Sequence, residues 1–86
     1  MDINQACTEI ETFLERFRTE HADWGAKEIH VLPSGDEKDT IKIWINFGDG
    51  ALGDLDAMAG RAVAALKQAH PAIASAFTFS VRGDAA

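Results

Sequence analysis

Gly48-Asp49-Gly50-Ala51-Leu52-Gly53 is the stretch of this chain with the spacing of a chemical motif. It matches G-x-G-x-x-G, follows a strand-like run and opens a helix-like one, as a dinucleotide-binding loop does. The surrounding residues oppose that use. Asp49, Asp54 and Asp56 put negative charge where a pyrophosphate would sit, against the help of the helix N-terminus. The positions about twenty residues on, His70 to Ser75, supply no acid for a ribose. The preceding run is apolar at alternate positions only, whereas strands of nucleotide-binding sheets are buried on both faces. The expectation is a glycine loop with an aspartate helix cap. The same aspartates lack the spacing of an EF-hand, which wants acids at alternate positions and a distal Glu. The macrodipole alone accounts for acids in a first helical turn. No metal site is expected.

The remaining reactive residue types are sparse. Cys7 is the only cysteine. It falls near the start of a helix, a place that lowers a thiol pKa, but on the apolar stripe, where a buried structural thiol is expected. His21 and His70 fall at predicted helix ends, where imidazolium meets the negative pole. There is no Ser-His-Asp order, no G-x-S-x-G, no P-loop and no tyrosine. No catalytic residue and no cofactor are expected, and the chain reads as a non-enzyme.

The elements that must position these residues follow from periodicity. Ile3, Cys7, Ile10, Phe13, Leu14 and Phe17 recur at three- and four-residue spacing, predicting a first helix over Ile3 to Glu20, capped by Asp2 with Gln5 at N3. It fades through His21 to Trp24 and stops at Gly25. Lys27 to Val31 and Ile41 to Phe47 alternate with period two and predict an antiparallel hairpin around the polar loop Pro33 to Asp39. A second helix over Asp54 to Ala69, with Leu55, Met58, Ala59, Ala62, Leu66 and Ala69 as its stripe, ends at Pro71. A last strand follows over Ala76 to Arg82, with Phe77, Phe79 and Val81 inward, and 83–86 is expected to be a loose tail.

The predicted fold class is α+β: a two-layer α-β-β-α-β sandwich with a three-stranded mixed sheet in the order first–second–third. The β-α-β crossover makes the second and third strands parallel. Each strand is apolar on one face only, so both helices should share that face. The 86 residues make a single domain that buries roughly 60–65% of its unfolded surface. The hydrophobic share, 47%, excludes disorder. The start MDINQACTEIE has neither the basic nor the apolar region of a signal peptide, and no apolar run approaches the ~20 residues of a membrane span. One cysteine fits a reducing cytoplasm. A net charge of −6 repels phosphate backbones, so neither nucleic acid nor membrane is an expected partner.

What folding leaves over is the outer sheet face: Glu28 and His30, then Lys42, Trp44 and Asn46, then Thr78, Ser80 and Arg82. Lys42, Arg82 and His30 make this face neutral to mildly basic on an acidic chain. Trp44 stands mid-strand where burial is not required, and Lys42 or Arg82 can lie over its ring. A tryptophan among Arg and polar groups has the composition of an interface hot spot. The expected function is a protein-interaction or regulatory module that binds a partner, or itself as a dimer, through this face. One alternative is a small-molecule or metal-binding domain using the Gly48–Asp56 loop and His30. Another is an acidic inhibitor or immunity-type partner of a basic protein.

From Ala26 to Arg82, the order hairpin, helix, short turn with Pro71 and final strand resembles the C-terminal domains of cation diffusion facilitators, and more loosely ferredoxin-like metallochaperones lacking a first strand. The resemblance is one of element order, and it implies dimerisation. Those domains often bind metal through His and Asp. The second and last strands here carry no His, and no family residue transfers.

Overall fold

Asp2 starts the first helix: its Oδ1 accepts from the Asn4 and Gln5 backbone N–H at 2.7 and 3.0 Å. The computed structural model describes residues 1–85. Helix α1 covers Ile3–Glu20 and buries Ala6, Cys7, Ile10, Leu14 and Phe17. A 3-10 turn, Ala22–Trp24, follows and is closed by Gly25 at φ +78°, a left-handed conformation natural to glycine. Strand β1 is Glu28–Pro33 and β2 is Thr40–Asn46. Helix α2 is Leu55–Ala69, with Asp54 accepting from the Ala57 N–H. Helix α3 is Pro71–Ala76 and β3 is Thr78–Asp84.

The sheet order is β1-β2-β3, with β1 antiparallel and β3 parallel to β2. This is the expected two-layer arrangement. Ile41, Ile43 and Ile45 of β2 are almost wholly buried, while Lys42 and Trp44 between them are exposed. Burial of each such side chain contributes about 1.5–3 kcal/mol. Helix α1 lies against β1 and α2 against β3, and both feed the cluster that holds the three isoleucines.

Trp24 joins the layers. The sequence places it in the fading end of the first helix, with no role. In the fold it is buried, its Nε1–H donates to the Met58 carbonyl at 2.7 Å, and its ring meets Phe17 and Phe47 edge-on. The 3-10 turn brings it back under α2, so an indole sits in the core with its polar atom satisfied.

Two expectations near the C-terminus need correction. Pro71 does not merely end α2; it occupies the first turn of α3, where its fixed φ is pre-set for a helix and its missing N–H costs nothing. The His70 carbonyl accepts from Ala74 N–H, and Phe77 N–H closes the helix on the Ile73 carbonyl, so β3 begins at Thr78 rather than Ala76. The expected tail 83–86 is also wrong at its start, because Gly83 and Asp84 belong to β3. The Gly83 N–H donates to Asp56 Oδ1 at 2.8 Å, and the Asp84 carbonyl accepts from Phe47 N–H at 2.8 Å. Ala86 lies outside the described residues.

Gly83 is where β3 passes closest to α2. A Cβ there would fall inside the contact radius of the Leu55 carbonyl oxygen and press on its carbonyl carbon. Backbone cannot step aside as a flexible side chain can. Gly83→Ala is therefore expected to destabilise the fold by about 2–4 kcal/mol in urea unfolding. A loss under about 0.5 kcal/mol would show that the strand end slides free of α2.

Candidate functional site

Strand register organises the open face into rows. Glu28, Asn46 and Asp84 form one; His30, Trp44 and Arg82 the next; Leu32, Lys42 and Ser80 the third. Thr78 pairs with Thr40 beyond them. All eight predicted surface residues thus share the face opposite the helices. Trp44 is 40% exposed, so the face carries apolar surface that folding has not consumed.

The middle row is a braced stack. The His30 ring lies parallel to the Trp44 indole, with centroids 4.9 Å apart, and the Arg82 guanidinium sits 5.6 Å from the indole on the other strand. Each outer member is held by an acid from the adjacent row. His30 Nε2 is 3.2 Å from Glu28 Oε2, and Arg82 Nε donates to Asp84 Oδ2 at 2.7 Å. Of the two cations expected over Trp44, Arg82 is the one that reaches it. Asn46 serves the backbone instead, where its Oδ1 accepts from Gly48 N–H at 2.8 Å and turns the chain out of β2.

Two members of the face escaped sequence reasoning. Leu32, 48% exposed, and Asp84 each fall two residues beyond an assigned outward position, after His30 and Arg82 respectively. Period-two counting finds both once the strands are allowed their full length. With Asp84 included, the charges of Glu28, Asp84, Lys42 and Arg82 cancel, which puts the face at the neutral end of the expected range.

The glycine loop is explained by backbone need. Gly48, Gly50 and Gly53, the three glycines of the pattern, all have positive φ, between 79° and 102°. Asp54 caps α2, and Asp56 holds β3 through Gly83. Two of the three acids are thus committed to the fold. Among the described residues no group of three or more His, Cys, Asp or Glu is placed to hold a metal ion.

Comparison of the chain with protein-family models, with curated proteins and with solved structures finds no match to any of them. The likeness in element order to metal-transporter domains therefore carries no argument beyond topology, and function must be argued from the surface itself.

Other reactive groups are spoken for. His21 lies on the Phe17 ring at 4.2 Å and His70 meets Phe13 edge-on. Each caps a helix C-terminus through its backbone N–H. A groove of about 200 Å³ on the outer side of α1 is lined by Thr8, Glu9, Thr12, Phe13, Arg16 and His70. Its threonine hydroxyls already donate to carbonyls one turn back. His30 and Glu28 form an acid–base pair on an open sheet, with no enclosure to exclude water around a reacting group.

Cys7 is buried, as its place on the apolar stripe predicts. Its pKa is raised, first by burial and then by the negative charge of Glu11, so the helix start does not activate it. In the native protein at pH 8, Cys7 should react with a disulfide reagent such as DTNB at least about ten-fold more slowly than in the urea-unfolded chain. Equal rates would mean that the start of α1 opens freely.

Proposed function

We propose that this chain is a non-enzymatic protein-interaction module whose contact surface is the open sheet face centred on Trp44. The observation that carries the proposal is the braced His30–Trp44–Arg82 row. It is a large, partly exposed indole, held in place from both sides, on a face the core does not use. Aromatic residues and arginine are the types that anchor protein interfaces. Pre-positioning them lowers the ordering cost of binding. The cancelled charges of the face favour a protein surface over a phosphate backbone. A cytoplasmic setting goes with this proposal, supported by the single, unpaired thiol.

The alternatives receive less support. Nucleotide or metal binding in the Gly48–Asp56 loop would compete with the structural work of Asp54 and Asp56. An acidic inhibitor would want its carboxylates gathered, and here they are spread over α1, the 36–39 loop and the loop before α2.

An interface residue contributes to binding and little to folding. Trp44→Thr puts a good strand former in place and removes the stack, the cation–π contact and part of the apolar surface the indole covers. It should lower unfolding free energy by less than about 1.5 kcal/mol. A loss above about 3 kcal/mol in urea unfolding would make Trp44 a folding residue and overturn the proposal.

A further inference from the structure

The open face has a charge direction along its strands. Glu28 and Asp84 flank Asn46 in one row, and Lys42 lies in the row on the far side of Trp44. Arg82 lies between, already paired with Asp84. This pattern distinguishes the two ways in which a second copy could stack on the face by two-fold symmetry. With the axis along β2, each row meets itself: Glu28 lies over the partner copy's Asp84, and Lys42 over Lys42. With the axis across the strands, along the His30–Trp44–Arg82 row, the outer rows exchange. Each Lys42 then lies over the mate's Asn46, between Glu28 and Asp84, twice by symmetry; the middle row meets itself, Trp44 on Trp44 and Arg82 on Arg82, and that one like pair is offset by the Asp84 each arginine already holds.

We infer that the occupant of the open face is a second copy of this chain, docked about the axis that runs through the Trp44 row with the two β2 strands antiparallel. This rests on the proposed interaction role of the face and names its partner. The arrangement is isologous, satisfies both acidic residues of the face, and brings the exposed indoles together out of water. Rows lie about 6.7 Å apart and strands about 4.8 Å, so a lysine side chain centred on Asn46 reaches both flanking carboxylates. The same spacings give a face on the order of 300 Å² per copy. That is well below the ~800 Å² per partner of a standard interface, so the dimer is weak and dependent on concentration.

The test is sedimentation equilibrium at about 0.15 M salt, from about 10 µM to about 1 mM, with circular dichroism to confirm that each variant is folded. Wild type should show a reversible monomer–dimer equilibrium, and Trp44→Ser should remove it. Lys42→Glu should weaken association about ten-fold or more, and adding Glu28→Lys should recover most of the loss. In the other orientation Lys42→Glu exchanges one like pair for another and changes nothing. A Lys42→Glu variant that dimerises as wild type does therefore overturns the inferred axis. A wild type that stays monomeric throughout overturns the inference, while the interaction role of the face stands if Trp44→Thr leaves stability intact. A dimer indifferent to Trp44→Ser places the interface elsewhere and overturns the inference together with the role proposed for the face.

Discussion

One-sided burial of the central strand is the constraint on which the rest of the molecule depends. Ile41, Ile43 and Ile45 all point to one side of β2, and Lys42 and Trp44 point to the other. With β1 antiparallel and β3 parallel on its flanks, β2 forces both neighbours into the same polarity of faces. A core fed from a single side needs both long helices on that side. Trp24 is what a thin core of this kind needs in addition: one large ring that reaches from the α1 terminus to α2 and ends in a satisfied N–H. The core therefore makes little demand on the outer face, where Asn46 alone among the predicted surface residues is bonded to the backbone of the next loop.

What occupies that face is not random polar cover. Glu28 and Asp84 sit one row away from His30 and Arg82 and hold them against Trp44 from opposite edges of the sheet. Individually such exposed pairs contribute little to stability. Their effect is on conformational freedom: an indole between two anchored planar groups has few rotamers left to lose when something docks on it. The bracing depends on β3 running as far as Asp84, and β3 runs so far because Asp56 and Phe47 bind its last residues. Surface order on one side of the sheet is thus secured by helix contacts on the other.

The order of elements and the faces of the strands were legible in the sequence because each rests on a local period: three to four residues for α1 and α2, two for β1 and β2. The bounds of α1 and the inward isoleucines of β2 follow from that alone. The larger misses are non-local. Helix α3 needs Ile73 to find the core, and nothing in Pro71-Ala72-Ile73 announces it. Gly83 and Asp84 look like a frayed end until Asp56, distant in sequence, supplies a bond. Trp24 gains its meaning only when Met58 and Phe47 arrive beside it. Leu32 and Asp84 escape notice on the surface for a simpler reason: alternation marks which way a strand residue points but not where the strand ends. The glycine pattern shows the opposite error, a local signal with a chemical look that answers to backbone geometry at all three glycines.

The net charge bears on which contacts this protein permits. At −6 per copy, two molecules with centres about 25 Å apart would repel by several kcal/mol in pure water, and the Debye length of about 8 Å at physiological salt removes most of that. What then decides is the local pattern. On α1 and in the loops the acids outnumber the bases, so contacts there place like charges together. The open sheet face balances its charges, carries a positioned aromatic, and sets its acids toward one end of the strand direction and its bases toward the other. Excess negative charge elsewhere on the molecule therefore acts as a filter. It disfavours other modes of self-contact while leaving this face approachable, and it does so without adding an attractive group anywhere.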